Sequence, residues 1–228
     1  MPYNGDPASV KPGYCVELIK AIFEPAGYTV DYQIQPWARD IAEVKEGNID
    51  AVIGADSGDC PLCLFPKQAI GVNQNFYYVK KGNPWVFNGL KSLNLLRLGV
   101  IDSYSYDSGA LDAYIKTADT QYVQKAAGDT ALEVNIQKLQ ADRLDAIVEN
   151  NWVLKNALKN LAIPEEAIVA AGKASEPQEV FLAFAPGKES SAKYTSLWDA
   201  GIQQLRASGK LKSILDKYHL ADWKIAAP

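Results

Sequence analysis

The chain has 228 residues, 48% of them hydrophobic and 22% charged, with a formal net charge of −4. That is an ordinary globular composition in a chain long enough for one large domain or two lobes of about a hundred residues each. The acidic balance argues against nucleic acid or an anionic membrane surface as partner, and no run approaches the ~18 consecutive apolar residues of a membrane span.

From the N-terminus, Met1-Pro2-Tyr3-Asn4 has neither the charged nor the apolar region of a signal peptide, so none is expected in this stretch. Gly13-Tyr14 opens a helix with Val16, Leu18, Ile19, Ile22 and Phe23 at helical spacing, ended by Pro25 and Gly27. Thr29 to Gln35 alternates Val30, Tyr32 and Ile34 with polar neighbours and predicts a strand, after which Pro36-Trp37-Ala38-Arg39 starts a second helix. Asn73 to Lys80 reads as a strand closed by the turn Lys81-Gly82-Asn83-Pro84. A buried strand is expected over Leu96–Ile101, with Asp102-Ser103-Tyr104-Ser105 capping the helix that follows, and another strand over Tyr122–Ala126. Then come a helix over 130–141, a strand over 146–150, a helix from Asn151, and strands near Ile168–Ala171 and over Val180–Ala185. The tail predicts helices over Ser190–Ser208 and Lys210–Tyr218, separated at Gly209.

One phrase occurs twice. Residues 41–51 (I-A-E-V-K-E-G-N-I-D-A) and 136–146 (I-Q-K-L-Q-A-D-R-L-D-A) match at Ile41/Ile136, Val44/Leu139, Ile49/Leu144 and the Asp-Ala pair. Each copy is an amphipathic helix running through a polar turn into a buried strand. An offset of 95 residues, 136 minus 41, exceeds a solenoid period of roughly 20–50. It suits two similar α/β lobes, each with its own parallel sheet, and a ligand cleft at their interface.

The three cysteines are Cys15, on the apolar face of the first helix, and the pair Cys60-Pro61-Leu62-Cys63. A CxxC can be a local disulfide, two idle thiols, a redox dithiol or half a zinc site. With no second ligand pair nearby, metal binding is not expected.

Several segments together resemble the periplasmic-type solute-binding proteins of bacterial ABC importers, in particular the amino-acid-binding group. They are P-Y-N at the start, G-Y-C-V-E-L at 13–18, A-G-Y-T-V at 26–30, P-W-A-R at 36–39, G-N-I-D-A-V-I-G-A at 47–55, R-L-G-V-I at 97–101, R-L-D-A-I-V-E-N at 143–150 and the tail at 205–218. The resemblance implies a type II two-lobe α/β fold with two hinge crossings, near Lys80-Lys81 and Ala185-Pro186. Residues 1–80 and 186–228 would form lobe one, and 81–185 lobe two. Family members carry a strand ahead of the P-Y-N motif, so lobe one is expected to lack its first strand in this sequence.

The resemblance also implies five places for a ligand: Tyr3 with Asn4; Trp37 with Arg39; Gly54, Ala55, Asp56 and Ser57 after the first repeat strand; Ser103, Tyr104 and Ser105; and Glu149 with Asn150. In each the chemistry is plausible beside a plainer role. Tyr3 could stack on a ligand and the amide of Asn4 could donate or accept. Arg39 could grip a carboxylate in bidentate fashion or lie on a solvated helix face, and Trp37 could line the site or the core. Backbone amides near Ser57 and Ser103–Ser105 could hold an anion, the latter as a helix N-terminus or simply as its cap.

Two departures bear on substrate. Asp59-Cys60-Pro61-Leu62-Cys63 stands where the resembled amino-acid binders place a carboxylate-gripping arginine, and Asn150 stands where they place an aspartate for the α-ammonium. Glu149 next door could supply that charge. The expected function is capture of a small polar solute for an ABC permease, by an extracytoplasmic monomer without cofactor, metal or nucleic acid. The alternatives are a receptor's sensor domain or a dehydratase-like enzyme using Glu149. The lone His219 in the tail and the lack of a Walker-type loop give little support to catalysis.

Overall fold

The computed structural model describes residues 3–224. In chain order the main elements are α1 (Tyr14–Phe23), α2 (Trp37–Glu46), β1 (Ala51–Ala55), β2 (Gly71–Asn73), β3 (Asn75–Lys80), β4 (Leu98–Ile101), α3 (Ala110–Thr117) and β5 (Val123–Ala126). They continue with α4 (Ala131–Gln140), β6 (Ala146–Asn150), α5 (Asn151–Asn160), β7 (Ile168–Lys173), β8 (Gln178–Phe184), α6 (Glu189–Ala207) and α7 (Lys210–Asp216). The chain divides into two compact units: residues 1–35, 39–72 and 179–228 form the first, and 36–38 with 73–178 the second.

Both crossings fall earlier than Lys80-Lys81 and Ala185-Pro186, and hydrogen bonding explains why. Strand β3 pairs on both edges with strands of unit two, β6 and β7, so the chain must cross before it. Strand β8 pairs with β1 of unit one, Ala51 opposite Phe184 and Val52 opposite Ala183, so the return crossing precedes β8.

Unit one is built on the apolar stripe of α1. Tyr14, Leu18 and Ile22 recur every fourth residue and bury, with Cys15 and Phe23, against Trp198, Ile202 and Leu205 of α6 and Leu211, Ile214 and Leu215 of α7. A Cβ on Gly201 would lie 2.6 Å from Ile22 Cγ2, so the close approach of α1 and α6 depends on that glycine. The indole N–H of Trp198 donates to the Gln68 carbonyl at 2.8 Å, which lets the largest core side chain be fully buried without an orphaned donor.

The three-stranded sheet of unit one, ordered β1-β8-β2, corrects two expectations. Its β1–β8 pair is antiparallel rather than parallel. Residues 29–35, read as a strand from their alternation, form no strand: Ile34 is 60% exposed, and no described strand takes up their backbone groups. Alternation supplies a face for burial, but a strand also needs a ladder partner.

Unit two carries a five-stranded sheet ordered β5-β4-β6-β3-β7. Strand β4 runs parallel to β5 and β6, and β3 runs antiparallel to β6 and β7. Both faces are covered, as a largely buried mixed sheet requires. On one face Tyr77, Val79, Leu98, Val100, Ala146 and Val148 pack with Tyr106 and Leu111; on the other Tyr78 and Ile147 pack under Leu132, Ile136 and Leu139 of α4 and Leu154 and Leu158 of α5.

Helix α3 begins at Ala110, so Asp102-Ser103-Tyr104-Ser105 is not its cap. The cap is supplied by Asp107, whose carboxylate accepts from the amides of Gly109, Leu111 and Asp112. Ser103 instead occupies a left-handed turn with φ 65°, and the Tyr104 amide donates to the Ile101 carbonyl.

Candidate functional site

In unit one, the N-terminal segment is laid over the start of α1. A Cβ on Gly13, at φ +108°, would lie 2.1 Å from the Tyr3 carbonyl oxygen, so glycine alone permits this crossing. The Cys15 amide donates to that carbonyl at 3.2 Å, and the Tyr3 hydroxyl donates to the Val72 carbonyl at 3.2 Å. The Tyr3 ring lies 5.6 Å from that of Tyr14. Beside it, Asn4 Oδ1 is buried with no hydrogen-bond partner.

The exit from β1 is a tight polar turn. Gly54 has φ +90° and open space where a Cβ would be, and Ala55 is fully buried. The Asp56 carboxylate accepts from the amides of Gly58 and Asp59, the Asp59 carboxylate accepts from the Asp56 amide, and the Cys60 amide donates to the Asp56 carbonyl. The amides expected to await an anion are thus engaged by the turn's own aspartates, while Ser57 is exposed. A Cys60–Cys63 disulfide, Cα atoms 5.4 Å apart, follows directly. Arg39 is 64% exposed along its side chain and its Nε lies 3.6 Å from Glu43 Oε1 on the same helix, the solvated-face arrangement.

In unit two, several candidate residues come together at one end of the sheet. The Trp37 ring meets that of Tyr104 edge-on at 5.9 Å, and Tyr104 lies 6.1 Å from Tyr106. Trp37 Nε1 is buried without a partner. The Tyr106 hydroxyl accepts from the Ile101 amide, and its carbonyl accepts from Asn75 Nδ2 at 2.9 Å. Asn75 in turn takes its backbone donor bond to Ser175 Oγ at 3.0 Å and stands opposite Asn150 in the β3–β6 register. Burial drives the Tyr106 phenol well above its ordinary range.

Asn150 is committed to structure. Its Oδ1 accepts from the amides of Trp152 and Val153, capping α5, and its Nδ2 donates to Asn73 Oδ1 at 2.8 Å. Ser105 Oγ donates to Asp112 Oδ2 at 2.7 Å, and the same carboxylate accepts from the amides of Tyr106 and Ser108. Glu149 is 3% exposed: its Oε1 accepts from the Asn150 amide at 2.7 Å, and its Oε2 has no partner. Burial pushes its pKa up to about 7, only partly opposed by the Asn150 hydrogen bond, with Glu133 adding a like charge.

The residues missed from sequence are Asp107, Asp112, Asn73, Asn75 and Ser175. Asp107 was findable, because D-S-G directly ahead of A-L-D-A-Y-I is a cap signature lying closer to the helical run than Ser103. Asn75 and Ser175 meet across 100 positions of sequence and carry no local signal. A notch of about 380 Å³, lined by Lys80, Asn83, Leu139, Asp142 and Asp145 among others, lies at the opposite end of the same sheet, away from these residues.

No protein-family model matches the chain, and no curated protein does. Solved structures match over nearly its whole length. The ABC uptake transporter substrate-binding protein from Streptococcus pneumoniae with bound histidine has TM-score 0.76 at 17% identity, covering 98% of this chain and 89% of that one. A histidine kinase sensor domain with similarity to periplasmic binding proteins has TM-score 0.75 at 19% identity, covering 96% and 91%. The arginine-, lysine-, histidine-binding protein of Geobacillus stearothermophilus has TM-score 0.73 at 18% identity, covering 96% and 90%. The chain therefore has the periplasmic-binding-protein-like fold.

Proposed function

We propose that the protein is an extracytoplasmic solute-binding protein that captures a small polar molecule and delivers it to an ABC permease. The observation that carries the reading is likeness of fold, over almost the entire chain, to binding proteins of amino-acid importers. Each unit, taken by itself, carries candidate residues for holding a solute. Candidates are Tyr3 and Asn4 and the turn Gly54–Ser57 from one, and Trp37, Ser103–Ser105 and Glu149 from the other. Asn150 would act by holding the end of β6 and the start of α5, since its amide is already spent.

The Cys60–Cys63 disulfide supports an oxidising, extracytoplasmic setting, where such bonds persist. Among the described residues no helix is long and apolar enough to cross a membrane. Delivery to a permease requires a binding protein rather than an enzyme.

A sensor-domain reading is favoured by one observation, the equally close likeness to a kinase sensor domain. A thermal-shift screen of amino acids, amines, small carboxylates and neutral polar solutes tests the binding function. A solute that binds only the folded chain raises Tm in proportion to its occupancy, and a screen with no response from any class would refute it. Co-purification with a permease, or with a membrane receptor, separates transporter from sensor.

A further inference from the structure

We propose that the solute is an organic cation without a free carboxylate, recognised by acceptors rather than donors. This rests on the solute-binding function above and concerns its substrate class.

A carboxylate is held by unspent donors: backbone amides at a turn or helix N-terminus, or a guanidinium. In the turn after β1 and in the segment that leads from β4 into α3, several of the backbone amides are already engaged by the chain's own aspartates. After β1, Asp56 and Asp59 accept from the amides of Asp56, Gly58 and Asp59. After β4, Asp107 takes the amides of Gly109, Leu111 and Asp112, and Asp112 takes those of Tyr106 and Ser108 together with the Ser105 hydroxyl. A ligand carboxylate arriving at either place would find a like charge on the donors it needs. Arg39 does not compensate, because it is mostly exposed and turned to Glu43.

What is left over at the candidate residues has the opposite character. In unit two the Glu149 Oε2 acceptor is buried without a partner, and in unit one the Asn4 Oδ1 acceptor is as well; among the candidate residues described, Trp37 Nε1 is the orphaned donor. Glu149 sits at the carboxyl end of β6, and the groups that act on it are the Asn150 amide, Glu133 from α4, Tyr78 from β3 and Tyr106 from the segment after β4. None of these is a cation. An unpaired buried carboxyl calls for a donor that brings positive charge, and an ammonium brings three N–H groups. An arriving cation favours the ionised carboxylate, so binding should release a proton and strengthen as pH rises through about 7, the value to which burial pushes Glu149.

The test is calorimetric titration of the full chain with three matched pairs, cadaverine and lysine, agmatine and arginine, histamine and histidine, at pH 6 and pH 8. In each pair that binds, the decarboxylated amine is expected to bind at least tenfold more tightly than its parent amino acid, and more tightly at pH 8 than at pH 6. Glu149→Gln, shown to be folded by a cooperative thermal melt, is expected to lose at least tenfold in affinity and to lose the pH difference. Equal or tighter binding of the amino acids overturns the proposal, and so does an absence of binding by all six compounds. The second outcome leaves the solute-binding function to the broader screen, where a neutral or anionic solute that raises Tm would uphold it.

Discussion

The two copies of the repeated phrase fold alike and are used differently. In the first, α2 buries only Val44, and β1 is an edge strand bonded to β8. In the second, α4 buries Ala131, Leu132, Asn135, Ile136 and Leu139, and β6 is buried along its whole length between β4 and β3. Carried on by the same offset, Gly54 corresponds to Glu149 and Ala55 to Asn150. The first strand therefore leaves through a glycine, an aspartate turn and a disulfide, the second through a buried acid and a helix cap. A shared local pattern sets the element; its neighbours decide how much energy and chemistry each position carries.

The matched isoleucines give the widest separation between the copies. Ile136 is fully buried and Ile41 half-buried, so Ile136→Ala is expected to cost 2–5 kcal/mol, and Ile41→Ala about 1 kcal/mol, in urea unfolding. Equal losses would mean that the two copies share one packing environment.

The Glu149/Gly54 pair differs next. Folding raises the Glu149 pKa from its ordinary value to about 7, so the folded state binds more protons than the unfolded state in that window. Stability should therefore be greatest below about pH 4.5 as far as this group is concerned, and should fall as pH rises to about 7, by on the order of 3 kcal/mol. Glu149→Gln should remove that fall, leaving the variant the more stable protein at pH 8, as measured by urea unfolding across pH.

Reduction of Cys60–Cys63 touches only the first strand exit. The loop it closes is short, so the chain-entropy expectation is a loss of about 2 kcal/mol, read as a lower urea midpoint in reductant. Asn150→Ala makes the second exit resemble the first and removes the α5 cap, for a loss of about 1 kcal/mol in the same assay. A null result there would mean that neither the α5 cap nor the contact of the Asn150 amide with Asn73 holds the end of β6.

The helices were legible because their signals are local. Tyr14, Leu18 and Ile22 announce α1, and 131–140 announces α4 by the same periodicity. What failed was everything that depends on a distant partner. Residues 29–35 alternate as a strand should, yet no described strand pairs with them. The crossings were displaced because the pairing of β3 with β7, and of β8 with β1, is invisible until both strands are placed. Among the candidate residues, the position of Glu149 and Asn150 at the end of β6 was legible in the sequence. The closing of the turn after Gly54 by Asp56 and Asp59 could not be read, because the letters Asp56-Ser57-Gly58 can leave amides open or fill them.

The pairing of β1 with β8 also sets an order of events during synthesis. Ala51 must wait for Phe184, and α1 for its partners in α6 and α7, whereas residues 73–178 contain every strand of their own sheet. As the chain emerges from the ribosome, the second unit can therefore close while the first is still an apolar helix and an unpaired strand edge. Such surfaces are prone to association before their own partners arrive. The early-made half of this protein is the late-folding one, and it is the half whose exposure a nascent-chain chaperone would have to cover.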